Sequence, residues 1–252
     1  MNSVDDTVFR KTLERGAAAI GVPLTEAQQD QCVRYTALLL ETNQHTNLTR
    51  ITAPDEVAIK HFVDSLTVFR AVPDLMPGAS VADIGTGAGF PGLVLKIVRP
   101  DLHLTLLDSL GKRLTFLREV AGALGLTEIA FIHARAEDGG RDLQHRDHYD
   151  LVTARAVASL PTLLEWCTPL CAVRGRFVAM KASSAGEELA ASETAVGELG
   201  LRLENDVSLT LPAISEGETA EAASRRLLVY RKNFPTRVRY PRRTAEIKAN
   251  PL

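Results

Sequence analysis

The stretch Val81–Gly92, V-A-D-I-G-T-G-A-G-F-P-G, constrains the fold more than any other part of the chain. A short apolar run enters it as a buried strand does. Glycines alternate at Gly85, Gly87 and Gly89, and a helical pattern (Leu93, Val94, Leu95, Ile97, Val98) leaves it. Glycines at that spacing let the backbone take positive φ and approach a ligand closely. A loop of this kind between a strand and a helix start is where open α/β sheets bind nucleotide-like cofactors. Downstream, strands are expected at 81–85, 103–108, 129–133, 149–153 and 174–181, alternating with helices at 92–98, 110–124, 159–170 and 185–199. That alternation predicts parallel βα units. Two further strands, 201–210 and 224–232, are separated only by a polar loop rich in Glu and Ala, and predict an antiparallel hairpin at one sheet edge. Ahead of the loop the pattern is helical. It covers Val8–Ile20, a helix opened by a Thr25/Gln28 capping box and running to about Glu41, and a third helix from Pro54 to about Ala71.

The spacing inside the loop separates cofactors. A dinucleotide fingerprint, G-x-G-x-x-G, needs its third glycine for close helix–strand packing, and Phe90 occupies that position. Asp83 inside the strand would repel a pyrophosphate, whereas it could attract the ammonium of a methionine moiety, directly or through water. Asp108 ends the second apolar run, H-L-T-L-L-D, where an acid can bind both ribose hydroxyls of an adenosine. Its alternative role is capping the helix that follows. After the third strand, Ala136 and Glu137 can line an adenine slot. Arg155 lies just past the fourth strand, between Ala154 and Ala156, where substrate meets cofactor in this architecture. The combination points to S-adenosylmethionine.

Absent motifs narrow the acceptor. Methylation of an exocyclic amine calls for Asn or Asp followed by Pro-Pro-aromatic near the fourth strand, and methylation of a pyrimidine carbon calls for a cysteine there. The chain has neither. An acceptor atom that is already nucleophilic and carries no proton fits, and guanine N7 is one. Composition excludes other classes. No apolar run approaches the roughly 18 residues of a membrane span, and the N-terminus carries no secretion signal, so a cytoplasmic protein is expected. Cys32, Cys167 and Cys171 have no framework spacing and no His pair at zinc-ligand distance, so a reducing compartment, buried thiols and no metal site are expected. The net charge of −2 hides an asymmetry: residues 224–252 carry nine Lys or Arg against Glu246 alone. A basic tail on an acidic body suggests a polyanionic partner.

With these residues in place the chain resembles the bacterial small-subunit ribosomal RNA guanine-N7 methyltransferases, the glucose-inhibited-division protein B family. The resemblance runs over nearly the whole length. It rests on N-L-T-R-I-T (Asn47–Thr52), H-F-V-D-S-L (His61–Leu66), the glycine loop, L-L-D-S-L-G-K-R (Leu106–Arg113), R-A-E-D (Arg135–Asp138), A-R-A-V-A-S-L (Ala154–Leu160) and the C-terminal Y-P-R and P-L. It implies a class I S-adenosylmethionine-dependent methyltransferase fold of Rossmann-like α/β type: a mostly parallel seven-stranded sheet, a C-terminal antiparallel hairpin and an N-terminal helical extension. The corresponding division is 1–75 for the helical extension, 76–235 for the methyltransferase domain and 236–252 for the basic tail. It also implies methyl transfer to N7 of one guanine in 16S rRNA, with 16S rRNA or the small ribosomal subunit as partner and the enzyme acting as a monomer. Gly85, Phe90, Ala136, Glu137 and Arg155 fall on the family's cofactor-contact positions, joined by Gly87 and Asp108 from the reasoning above. Arg155 and Lys181 are the candidates for organising the guanine. The chain departs from the family at Ala182, where glycine is common, and in its longer termini. Candidates for RNA phosphates are His61, Lys112, Arg113, Lys181 and the basic tail, with a core role as the alternative for His61. The tail is expected to serve RNA and leave cofactor affinity alone. Another RNA or a small molecule remains the alternative acceptor, and an RNA-binding module on a degenerate fold would require a broken glycine loop or a missing Asp108.

Overall fold

The computed structural model describes residues 3–155, 158–182, 186–214 and 223–252. Expectations that fall on Ala156 and Val157, on residue 185 and on the polar loop at 215–222 lie outside the described residues. Strands β1 (Ser80–Ile84), β2 (His103–Asp108), β3 (Ile129–His133), β4 (Tyr149–Arg155), β5 (Cys171–Ala182), β6 (Leu201–Thr210) and β7 (Ser224–Lys232) form one sheet in the order β3-β2-β1-β4-β5-β7-β6. The first five run parallel, and β7 lies antiparallel between β5 and β6. This is the expected mostly parallel seven-stranded sheet with its C-terminal antiparallel hairpin. The strand order reverses where β1 lies between β2 and β4, so a crevice opens at the carboxyl ends of those strands.

Side-chain alternation builds two cores from one sheet. In β1, Val81 faces one cluster while Ala82 and Ile84 face the other; in β2, Leu104 and Leu106 oppose Leu107. The first face carries α1 (Ser3–Ala19), α2 (Glu26–Asn43), α6 (Gly92–Val98) and α7 (Gly111–Ala123), through Phe9, Leu13, Tyr35, Leu93 and Leu117. The second carries α9 (Leu160–Cys167) and α11 (Glu193–Glu198), through Leu163, Leu164 and Ala195. Each fully buried Leu or Phe contributes about 1.5–3 kcal/mol, so the N-terminal helices are held by the same core as the sheet. The capping box forms as expected: Thr25 accepts from the Gln28 amide, and the Gln28 side chain accepts from the Thr25 amide.

Local outcomes differ from expectation, among them the start of β5 at Cys171 and not at 174. The helix expected from Pro54 to Ala71 is broken into α3 (Pro54–Val57), a π-helical turn (Ala58–Val63), α4 (Asp64–Leu66) and α5 (Val68–Ala71). The expected 185–199 helix is two pieces, α10 (Gly186–Ala191) and α11, with buried Ser192 at the junction bonding back to the Leu189 carbonyl. Two short helices, α8 (Ala136–Gly139) and α12 (Thr244–Ala249), were not anticipated. Both stand at the crevice.

Candidate cofactor and substrate site

The glycine loop takes its shape from left-handed backbone and one buried carboxylate. Gly85, Gly87 and Gly89 have φ of 66°, 61° and 96°, values that L side chains rarely adopt. Asp83, 1% exposed, accepts from Thr86 Oγ1 at 2.6 Å, the Gly92 amide at 3.1 Å and Thr153 Oγ1 at 3.0 Å. Parallel pairing sets Asp83 beside Thr153 on β4, so the contact is fixed by register. Burial pushes the Asp83 carboxyl above its ordinary range, while these three bonds hold it down. The carboxylate expected to meet a ligand ammonium instead latches the loop to the sheet. The glycine for close helix–strand packing is Gly92, whose amide Asp83 also binds; a Cβ there would lie 2.6 Å from the Leu106 side chain.

Phe90 is a structural pivot as well as a wall. Its ring stacks between Tyr35, at 5.1 Å, and His61, at 4.7 Å, and the Arg155 guanidinium stands 5.3 Å from its centroid. The Tyr35 hydroxyl donates to the Ala88 carbonyl, tying α2 to the loop. The π-helical turn is what brings His61 onto Phe90 and aims the Lys60 carbonyl at Arg155, in keeping with the frequent use of such turns at functional sites. Arg155 Nη1 donates to that carbonyl at 3.1 Å and to Asp64 at 3.0 Å. The other Asp64 oxygen accepts from Arg225 Nε at 2.8 Å. One buried carboxylate therefore joins the N-terminal helices, β4 and β7.

His61 takes its alternative role, in the core. Its Nε2 lies 2.8 Å from Thr49 Oγ1, and burial followed by the nearby Arg155 charge lowers its pKa to about 3. A neutral ring is no phosphate cation. The sign of its effect on stability follows. The unfolded ring protonates near pH 6.5 and the folded ring does not until about pH 3, so the contribution is complete above pH 6.5 and lost as pH falls through that window. From pH 7 to pH 4 the protein is expected to lose about 2–3 kcal/mol more stability than a His61→Gln variant, which has nothing to titrate. Urea titrations at both pH values measure this. Parallel losses in the two proteins would show that His61 is not the group responsible.

Two cavities meet at the end of β1. One, of about 640 Å³, is walled by Gly85, Gly87, Phe90, Arg155, Lys181 and Arg225; the other, of about 530 Å³, by Leu107, Leu110, Ala136, Glu137, Trp166 and Thr244. Gly85, Asp108 and Ser109 border both. Asp108 accepts from the Gly87 amide and the Leu110 amide, each at 2.9 Å, and pairs with Arg113 at 3.2 Å. Arg113 Nη1 straddles both carboxylate oxygens, at 3.4 and 3.2 Å, so with the two amides about four acceptor sites are engaged and a ligand hydroxyl reaches Asp108 by displacing the long Arg113 contacts. The second cavity combines an apolar wall of Leu107, Leu110, Ala136 and Trp166 with the carboxylates of Asp108 and Glu137, a mixture that suits a base and the hydroxyls of its ribose. Every candidate cofactor residue thus reaches one continuous crevice, and Arg155 and Lys181 lie at its outer lobe. Lys181 is held by the Ala158 carbonyl at 2.9 Å and Glu188 at 2.7 Å. Arg113 is committed to Asp108, and Lys112 stays exposed outside both cavities.

The residues 236–252 do not form a free arm. Arg242 reaches fully buried Glu165 through its amide, Nε and Nη2 at 2.8, 2.9 and 2.6 Å. Tyr240 and Ile247 are buried, and the Thr244 hydroxyl donates to Glu137. Thr244 of this segment lines the second cavity. Sequence reasoning missed Tyr35, Asp64, Arg225 and Thr244. Asp64 was within reach, standing inside the H-F-V-D-S-L motif between Val63 and Ser65.

A family model described as "GidB: rRNA small subunit methyltransferase G" matches residues 28–212. The protein named ribosomal RNA small subunit methyltransferase G of Pelotomaculum thermopropionicum is 45% identical over 246 residues, covering 98% of this chain and 100% of that one. Its namesake in Symbiobacterium thermophilum is 45% identical over 254 residues, covering 99% and 100%. Among solved structures, an S-adenosylmethionine-dependent O-methyltransferase of Thermotoga maritima superposes with a TM-score of 0.51 at 16% identity, over 78% of this chain and 71% of that one, a likeness of fold.

Proposed function

The chain belongs to the rRNA small subunit methyltransferase G family, and on that premise we propose that it transfers a methyl group from S-adenosylmethionine to N7 of one guanine in 16S rRNA. Bound in the crevice, S-adenosylmethionine would supply a methyl group activated by its sulfonium centre. In this proposal the Leu107–Trp166 slot takes the base, Asp108 accepts from the ribose hydroxyls and the Gly85–Gly89 backbone accommodates the methionine portion. The outer lobe then receives the guanine.

One observation carries the choice of acceptor. Among the described residues the outer lobe offers cations but no group poised to take a proton. Asp64 is tied to both Arg155 and Arg225, Asp108 to two backbone amides and Arg113, and His61 is held neutral and weakly basic. Burial pushes all three thiols up, Cys171 to about 12, so none serves as a nucleophile at neutral pH. Such a lobe suits a nitrogen with a free lone pair and no N–H. It then contributes positioning, which can supply on the order of 7–11 kcal/mol toward a transfer step. Arg155, fixed by the Lys60 carbonyl and Asp64, and Lys181, fixed by Glu188, orient the RNA beside Phe90 and shield the reacting atoms from water. No helix among the described residues is long and apolar enough to cross a membrane, and the proposal places the enzyme in the bacterial cytoplasm as a monomer acting on 16S rRNA or the small subunit. Mass spectrometry of 16S rRNA from cells lacking the protein tests it. One 7-methylguanosine is expected to vanish, and its persistence would overturn the proposal.

A further inference from the structure

We propose that the C-terminal segment 236–252 is part of the adenosine pocket, with Thr244 a positioning residue that sets the Glu137 carboxylate for the exocyclic amine of adenine. The proposal rests on the cofactor assignment above and goes beyond it. Glu137 stands in the first turn of α8, lines the second cavity and is nearly buried. Among the described residues Thr244 donates to its Oε1, which leaves Oε2 to accept from a ligand. A lone carboxylate on a four-residue helix would rotate; one held by a hydroxyl presents a fixed acceptor.

Thr244 can do this because the chain around it is pinned. The bidentate Arg242–Glu165 pair lies two residues before it, and buried Ile247 lies three residues after. Further back, Arg146 donates to the carbonyls of Tyr240, Thr236 and Arg237 at 2.9, 2.7 and 3.2 Å, and Arg141 Nε donates to that of Pro241 at 3.0 Å. A tail that served only to attract RNA would leave Arg242 in solvent and would not offer its carbonyls to Arg141 and Arg146 of the body. Here these contacts dock α12 against the slot, and the Thr244 side chain faces the cavity beside Glu137.

Calorimetry with S-adenosylhomocysteine and S-inosylhomocysteine tests the assignment. The two ligands differ at position 6, an amine donor against a carbonyl acceptor, and at N1, an acceptor against an N–H donor; the Thr244 variants isolate the part of the preference that runs through Glu137. The wild type is expected to prefer the adenosine compound by about 10–100-fold, the scale of a charge-assisted hydrogen bond against an unpaired carboxylate. Thr244→Val, nearly the same shape, should reduce that preference at least about threefold, and Thr244→Ser should restore it. Equal weakening of both ligands in Thr244→Val, with the preference unchanged, would mark a purely structural contact and overturn the proposal. So would an unchanged Thr244→Val protein or a failure of serine to restore the preference. If the wild type binds neither ligand, the cofactor assignment itself fails, an outcome distinct from the others.

Discussion

Asp108→Ala is expected to weaken binding of S-adenosylmethionine by about 10–100-fold, the loss of one or two charge-assisted hydrogen bonds to ribose. The site has two reasons to feel this change. Asp108 borders both cavities, so it is the side chain best placed to touch ligand at the junction of base and methionine ends. It also receives the Gly87 amide, the Leu110 amide and Arg113, so its removal loosens the loop and leaves a guanidinium half-buried without its partner. Asp108→Asn separates the two contributions: the amide oxygen still accepts a loop N–H, but the charge is gone. Calorimetry should place it between wild type and Asp108→Ala, with melting temperatures confirming that all three are folded. Unchanged affinity in Asp108→Ala would refute its ribose role.

Gly92→Ala is expected to be among the most destabilising single-methyl additions in the molecule. The new Cβ would sit 2.6 Å from the Leu106 side chain and 3.0 Å from both Cβ and Oδ2 of Asp83. Leu106 is a fully buried β2 residue and Asp83 is the latch of the loop, so neither can retreat without opening the sheet or surrendering hydrogen bonds. Overpacking of this kind costs about 3 kcal/mol, a fall of roughly 6–12 °C in melting temperature for a chain of this size. Gly122→Ala is the control. It lies in α7 with open space around the added Cβ and should stabilise by about 0.4–1 kcal/mol. A Gly92→Ala protein melting within about 2 °C of wild type would show that helix and strand do not approach as closely as described.

How far the sequence disclosed these features depends on whether their cause was local. Strands β2, β6 and β7 begin and end where apolar patterning places them, and α2 starts at its capping box. The glycine loop was legible because its φ values need glycine whatever surrounds it. The role of Asp83 was not. Its position next to the loop is visible in the sequence, but its orientation depends on Thr153, seventy residues away and adjacent only through β1–β4 pairing. The expected fifth strand begins at 174; β5 starts at Cys171 and passes through Arg174 at φ 70°, an irregularity that residue type does not announce. The π-helical turn has the apolar spacing of an ordinary helix, so only the folded chain shows that it aims Lys60 and His61 at Arg155. The packing of the tail was hidden for a similar reason. Counting its charges revealed the basic excess but not that Arg242 is neutralised by buried Glu165 or that Thr244 meets Glu137.

The central claim concerns one atom of one base. The purified protein, incubated with 16S rRNA or small ribosomal subunits and S-adenosylmethionine carrying an isotopically labelled methyl group, yields RNA whose nucleosides can be separated and weighed after digestion. The label is expected in 7-methylguanosine, one per 16S molecule, and is expected to be lost in the Asp108→Ala protein at low cofactor concentration. Label on an exocyclic amine or a pyrimidine carbon, or RNA left unlabelled by a protein that binds the cofactor, would contradict it.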